Sequence, residues 1–411
     1  MRILLTMTGS WGTGSGTVVE ALVAGFVARG HAVCVLHPEN DDTPAEPTPR
    51  APAARHEVWR FPVREGDLEL PCFPLMIPDP NPRAPVNAWT YEALTEAQRD
   101  LFIHAFQARV REVVVRFRPD VIECQHVWLM PAAVAELGLP YACASHHSDQ
   151  MAFDLDANTR PYALRAAREA WGIFSLMEGN RREVIEQTGV DSSRVTVMGN
   201  GYDRTVFRPG PVDRRALLAA HGLHIADGVP IITFAGKLSK TKGVDVLLEA
   251  NRLLRAEMPI PPALLLFGTG TLEQTLDVGK HAAGDYSLEG CHFLGHQPYE
   301  VVRDFHNVAR VSVMPSRSEG FGLAALEAMG CGVPVVVSRL GGLDADTVGA
   351  IAEPADPASL ARAIREVIEL DDAAHAAMKE EALRVARTFS WDEIVERRLS
   401  FYLAAPPMPA L

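Results

Sequence analysis

The sequence predicts an α/β protein made of two doubly wound domains, each a parallel sheet covered by helices. Short apolar runs of strand length alternate with helical patterns in two separate series. Glycines cluster where a strand leads into a helix, as they do in doubly wound sheets that bind ligands at their carboxyl edge. The chain, at 411 residues, is also too long for one compact domain of about 100–200 residues. With 47% hydrophobic and 22% charged residues it has an ordinary globular composition.

The first series opens with a strand at 3–6, a Gly-rich turn over 9–16, a helix over 17–28 and a strand at 32–36. That is a βαβ unit, and it implies parallel pairing. Residues 38–88 hold 12 prolines in 51 positions, a density that precludes regular structure through most of the segment and predicts a long surface insertion. A helix over 91–117, a strand at 121–124, a helix over 131–137 and a strand at 141–145 follow, then a loop beginning His146-His147. Further pieces reach a strand at 195–198. Residues 204–228 read as a connector. The second series has strands at 231–235, 263–267, 291–294, 311–314 and 333–338, with helices near 244–254, 300–308 and 323–329. Residues 390–402 form an amphipathic helix.

Charge and cysteines exclude several classes. A net charge of −13, from 52 acids against 39 bases, argues against a nucleic-acid partner. It leaves room for a small anionic ligand at a local basic cluster. The six cysteines are widely spaced and form no CxxC, so buried thiols are expected rather than a metal site or disulfides. The N-terminal apolar run is too short for a signal peptide, and no stretch approaches the roughly 20 apolar residues of a spanning helix. A cytoplasmic soluble protein, monomeric or homodimeric, with no membrane partner, is the expectation.

Three segments could carry chemistry. The first is the Gly-rich turn. It is not a dinucleotide fingerprint, because a frame starting at Gly12 and Gly14 puts Thr17 in the third position and one starting at Gly14 and Gly16 puts Val19 there. Exposed backbone N–H groups at its helix start can still face a phosphate or a sugar. The second is FAGKLSKTKG, which concentrates three of the chain's five lysines directly after a strand. Gly236 frees the turn there, and Lys237 and Lys242 are point-charge partners for a diphosphate, with Lys240 a solvated neighbour. The third is MPSRSEGFGLAALEAMG. A strand ends, Glu319 sits in a polar loop, and a helix starts near Gly322 whose backbone donors can receive phosphate and sugar oxygens. Glu327 follows eight residues later inside an otherwise apolar helix. Such a carboxylate is costly to bury without a partner, and a vicinal diol such as a ribose would be one. The bland alternative is an internal cap or salt bridge.

The spacing E-x7-E of Glu319 and Glu327 within SEGFGLAALEAMGCGVPVV resembles the signature of glycosyltransferase family 4. That family comprises retaining, nucleotide-sugar-dependent enzymes of GT-B fold, with two Rossmann-like domains facing a cleft. Other landmarks match in order: GTGSGTVVEALVAGFVARGHAV, SHHSDQ, VMGNGYDRTVFRP, GKLSKTKGVDVLLEA, FGTG and TFSWDEIVERRLSFY. The match covers most of the chain outside 38–88.

The resemblance implies an acceptor-binding domain over 1–204, a donor-binding domain over 205–388 and a terminal helix, 389–411, that returns to the first domain. It implies that Lys237 and Lys242 bind the donor diphosphate and stabilise the leaving nucleotide, with no metal or other cofactor. Glu327 would bind the ribose hydroxyls. Glu319 and the backbone of Gly320, Phe321, Gly322 and Leu323 would hold sugar hydroxyls and phosphate. Gly268 and Gly270 would line the nucleotide, Gly14 would leave room near the phosphates and acceptor, and His146 would face the reacting sugar. The family usually has Arg at the position of Lys237, so a bidentate fork becomes a point charge here. Two DxD motifs, at Asp154/Asp156 and Asp344/Asp346, have no metal role in this architecture. No carboxylate stands out as a covalent nucleophile, so a front-face route is expected.

The donor is expected to be a UDP- or GDP-linked sugar. The acceptor is expected to be a small molecule of natural-product or thiol metabolism, with the Pro-rich 38–88 segment, together with Trp59, Phe73 and Trp89, helping to form its pocket. Alternatives are a nucleotide-sugar epimerase of GT-B fold, a lipid-acceptor transferase at the membrane surface and a non-catalytic nucleotide-sugar sensor.

Overall fold

A computed structural model of the chain describes residues 1–9, 14–40, 54–77, 89–270, 272, 287–340 and 348–409. Part of the Gly-rich turn, much of the Pro-rich segment, Lys280 and the Asp344/Asp346 motif lie outside these. The chain divides into two compact units, Met1–Asn200 with Trp391–Leu411, and Gly201–Ser390.

The first unit is built on strands β1 (Arg2–Thr6), β2 (Ala32–Asn40), β3 (Arg55–Phe61), β6 (Val121–Gln125), β7 (Ala142–Ala144), β8 (Gly172–Ser175) and β9 (Val195–Val197). They lie in the order β3-β2-β1-β6-β7-β8-β9, and the adjoining strands pair in parallel. A small antiparallel hairpin, β4 (Val63–Glu65) and β5 (Leu68–Leu70), stands apart. The helices are α1 (Gly14–Ala28), α2 (Glu96–Phe117), α3 (Leu129–Glu136), α4 (Ser148–Leu155), α5 (Arg160–Glu169) and α6 (Glu178–Thr188). Helix α2 starts later than its apolar pattern suggests. Thr95 and Gln98 form a capping box that fixes the start at Glu96, leaving 91–93 as a separate turn of 3₁₀ helix.

The Pro-rich segment departs from expectation. Strand β2 runs on to Asn40, and β3 pairs with it in parallel from Cys34↔Arg55 to Asn40↔Phe61. Averaging prolines over 51 positions hides a proline-free stretch, residues 53–61, bounded by Pro52 and Pro62. An edge strand tolerates such bounds. Trp59 and Phe73 are 4% and 1% exposed, and the Trp59 ring packs 4.9 Å from Phe102 and 5.6 Å from Phe106. These aromatics are core, not the walls of an acceptor pocket; Trp89, packed against the same core, donates its indole N–H to the Cys72 carbonyl at 3.1 Å.

The second unit contains α7 (Arg214–Ala220), β10 (Ile231–Ala235), α8 (Val244–Glu257), β11 (Ala263–Phe267), β12 (Cys291–Gly295), α9 (Tyr299–Val308), β13 (Val311–Met314), α10 (Leu323–Gly330), β14 (Val335–Ser338) and β15 (Gly349–Ala352). Helices α11 (Pro357–Ile368) and α12 (Asp372–Ala386) follow. The parallel sheet has the order β12-β11-β10-β13-β14-β15. The chain winds outward from β10 to β12, then crosses back to β13 on the other side of β10. Its core is the apolar faces of β10, β11, β13, α8 and α11.

Helix α13 (Trp391–Tyr402) belongs to the first unit. It lies so close to α1 that a Cβ on Gly25 would come within 2.5 Å of Val395 Cγ2. Among the described residues no helix is long and apolar enough to cross a membrane.

Candidate active site

In the second unit the winding direction reverses between β10 and β13, so the helices that follow these two strands leave on opposite sides and open a crevice at their carboxyl ends. Lys237 and Lys242 stand in the loop after β10, and Glu319 to Gly322 in the loop after β13. Adjacent strands thus bring the cation loop and the carboxylate loop to one edge.

Close backbone approach laces these loops together. Gly236 N–H donates to the Phe267 carbonyl at 2.9 Å and Leu238 N–H to that of Thr269 at 2.7 Å, joining the β10 loop to the Gly268–Gly270 turn. A Cβ on Gly268 would sit 1.8 Å from the Gly236 carbonyl oxygen. Gly243, at φ +69°, caps α8, and a Cβ there would lie 1.9 Å from the Pro315 carbonyl oxygen. Only glycine fits either place. Arg317 completes the join: its N–H donates to the Thr241 carbonyl at 2.8 Å, and its guanidinium grips both carboxylate oxygens of Asp245 at 2.6 and 2.7 Å.

Within this frame Lys242 Nζ lies 2.8 Å from Glu319 Oε2, and Ser316 Oγ donates to the same oxygen at 3.2 Å. Glu319 is buried to 15% side-chain exposure and Lys242 to 27%. Lys237 is half-buried and Lys240 exposed. Gly322, in the left-handed region at φ +91°, is the N-cap of α10, so the backbone of 320–323 turns into the helix start. The Phe321 side chain is buried, its ring centre 5.5 Å from that of Phe389. Glu327 is half-buried on α10, so the cost of full burial that made it conspicuous in the sequence does not arise.

In the first unit Gly14 begins α1 after β1, and His146 follows β7. His146 lies in a buried polar cluster. Asp149 accepts from the backbone N–H of His146 at 3.0 Å and of Val127 at 2.9 Å, tying together the loops after β7 and β6. His146 Nε2 is 2.7 Å from Gln125 Oε1, and its ring centre is 4.9 Å from that of His126. Burial, then the charges of His126 and Arg398, hold the His146 imidazole well below its usual pKa. His126 is lowered too, by burial, with Asp149 opposing. Both rings are therefore neutral at pH 7. Neither His126 nor Gln125 was visible as a site residue in the sequence, which offers only their nearness to a strand end.

Asp156 of the first DxD motif caps a local turn, accepting from Asn158 N–H at 2.9 Å and Thr159 N–H at 3.1 Å. Among the described residues no cluster of three His, Cys, Asp or Glu could hold a metal ion.

The sequence profile for "Glycosyltransferase Family 4" matches residues 12–206, and that for "Glycosyl transferases group 1" matches 221–384. The chain belongs to glycosyltransferase family 4. Two curated relatives match the chain. It is 33% identical over 233 residues to D-inositol 3-phosphate glycosyltransferase 1 of Catenulispora acidiphila, a match covering 54% of each chain. It is 35% identical over 235 residues to D-inositol 3-phosphate glycosyltransferase of Geodermatophilus obscurus, covering 54% of this chain and 50% of that one. The chain spans about half the length of the curated relatives it matches. Sucrose-phosphate synthase from Thermosynechococcus elongatus superposes with a TM-score of 0.72 at 19% identity, over 98% of both chains. Anabaena HepE in complex with UDP and glucose gives 0.71 at 18%, over 98% of this chain and 99% of that one. The family-4 chain thus has the GT-B fold, with a Rossmann-like sheet in each unit.

Proposed function

We propose that the protein is a retaining glycosyltransferase that moves a sugar from a UDP- or GDP-linked donor to a small phosphorylated polyol, without a metal ion. The observation that carries this reading is the 2.8 Å pair of Lys242 and Glu319 at the switch point of the second sheet. It puts a cation for a diphosphate and a carboxylate for sugar hydroxyls side by side. Lys237 and Lys242 receive the diphosphate, Glu327 the ribose, and Glu319 with the 320–323 backbone the sugar and its phosphate. Gly268 and Gly270 form the turn beside the base. In the first unit His146 serves a hydroxyl of the transferred sugar and Gly14 leaves room for the phosphates. The names of the curated relatives, inositol 3-phosphate glycosyltransferases, support a small phosphorylated acceptor.

The reaction proceeds on one face of the sugar. The bond from the anomeric carbon to the diphosphate oxygen breaks, the bond to the acceptor oxygen forms on the same face, and the acceptor's proton passes to the departing diphosphate. The lysine ammonium groups stabilise the charge that develops on that leaving group.

The test is a thermal-shift panel of UDP-, GDP- and ADP-sugars, since a ligand that binds only the folded chain raises its melting temperature. The stabilising donor is then incubated with D-inositol 3-phosphate and the product read by mass spectrometry. A UDP- or GDP-sugar that stabilises and a glycosylated inositol phosphate support the reading. No stabilisation by any sugar nucleotide would sink it, and an isomerised sugar from donor alone would make the protein an epimerase.

A further inference from the structure

Strand β6 carries Glu123 and Gln125 two positions apart, so both project from one face of the sheet. Helix α13 carries Arg398 and Tyr402 four apart, on one helical face. These faces meet. Arg398 donates to Glu123 Oε1 and Tyr402 OH donates to Glu123 Oε2, and the side chains of Glu123 and Arg398 are 0% and 2% exposed. None of these groups is used in the reaction proposed above.

The consequence follows from donors and acceptors alone. A guanidinium only donates, so Glu123 Oε1 is an acceptor. Gln125 touches that same oxygen at 2.8 Å and must offer it the amide NH₂. The other end of the amide, Oε1, therefore faces His146 Nε2 at 2.7 Å, and as an oxygen without hydrogen it can only accept. His146 then carries its proton on Nε2 and keeps Nδ1 as its acceptor. The neighbouring ring is fixed the opposite way. Thr8 Oγ1 donates to the backbone carbonyl of Gln125 at 2.7 Å, so His126 Nδ1, 3.1 Å from that hydroxyl, is the protonated nitrogen.

We propose that Glu123 is a positioning residue: through the Gln125 amide it fixes His146 as the Nε2-protonated tautomer, so that the ring offers Nδ1 to a donating hydroxyl. The sugar as the owner of that hydroxyl rests on the reading of His146 given above; the tautomer does not.

The experiment reads the ring nitrogens directly, by long-range ¹H–¹⁵N correlation of the uniformly labelled full chain at pH 7. His146 is assigned by its absence in His146→Asn. The parent chain is expected to show Nε2 protonated. In Gln125→Met, which leaves the Glu123–Arg398 pair intact, the ratio of the two tautomers falls up to about tenfold, the worth of one hydrogen bond. The paired change Glu123→Met with Arg398→Met removes both charges together and keeps Gln125; it should lower the ratio as well, because nothing then orients the amide. Glu123→Gln keeps an acceptor beside Arg398 and should preserve the parent ratio. An unchanged ratio in either Gln125→Met or the paired variant overturns the proposal. A ratio that falls, while His146→Ala still transfers sugar at the parent rate, sustains the tautomer control and overturns the role of His146 at the sugar.

Discussion

The ammonium of Lys242 and the carboxylate of Glu319, 77 residues apart, meet at 2.8 Å over the point where the second sheet reverses its winding. A bound diphosphate would compete with Glu319 for that ammonium. Lys242→Ala is expected to weaken binding of the nucleoside diphosphate about 10–100-fold, the worth of one charged hydrogen bond. Glu319→Gln removes the competitor and should leave that affinity equal or tighter, while sugar transfer falls. Isothermal titration with both variants checks this; equal weakening by the two would contradict it.

Arg317 holds the carboxylate loop to the first turn of α8 through its two-pronged bond to Asp245. Lysine keeps the charge but cannot reproduce the fork. Arg317→Lys should therefore loosen the frame around Lys242, raising KM for the donor several-fold with little change in kcat. Steady-state kinetics read this split, and an unchanged KM would show that the 241–317 backbone bond suffices alone.

Much of this frame was legible in the sequence because buried parallel strands read as near-continuous apolar runs, here bounded by proline or glycine. The strands at 231–235, 263–267 and 311–314 came out at their observed bounds for that reason. Strand β3 was hidden by the prolines around it. Helices α11 and α12 went unread, although Asp356 and Asp371 accept from the Ser359 and Ala374 N–H groups as ordinary N-caps. The lysines and acids of the second sheet edge were legible because strand ends are where such residues gather. Arg317–Asp245 and Glu123–Arg398 were not, since a pairing across 72 or 275 residues leaves no periodicity or spacing to read.

Two glycines with similar backbone angles should separate strain from collision. Gly30, at φ +79°, has no heavy atom within 4 Å of a Cβ, whereas the Cβ of Gly243, at φ +69°, would strike the Pro315 carbonyl. Gly30→Ala should cost about 1–2 kcal/mol, from the left-handed backbone alone. Gly243→Ala should cost more, on the order of 3 kcal/mol or above, because backbone must move, and it should also weaken donor binding. Melting temperatures of the two variants decide it; similar losses would mean that the Pro315 loop yields freely.

Acid should destabilise the fold before its carboxylates titrate. His306 is fully buried in the second unit, one ring nitrogen 3.0 Å from Thr233 Oγ1, and burial lowers its pKa from 6.5 to about 4. His56 in the first unit is lowered to about 4 as well, by burial and by His37. The folded chain keeps these rings neutral while the unfolded chain takes up protons near pH 6.5. Stability is therefore full above that pH and drains as pH falls toward 4. By pH 5 the fully buried His306 ring should cost about 2 kcal/mol, at about 1.4 kcal/mol per pH unit, and the half-buried His56 ring less, because solvent screens it. Gln at position 306 can still hydrogen-bond Thr233 but cannot take a proton. Melting temperatures of His306→Gln should thus fall less steeply than the parent's between pH 6.5 and 5, and parallel curves would show that His306 is protonated in the folded chain.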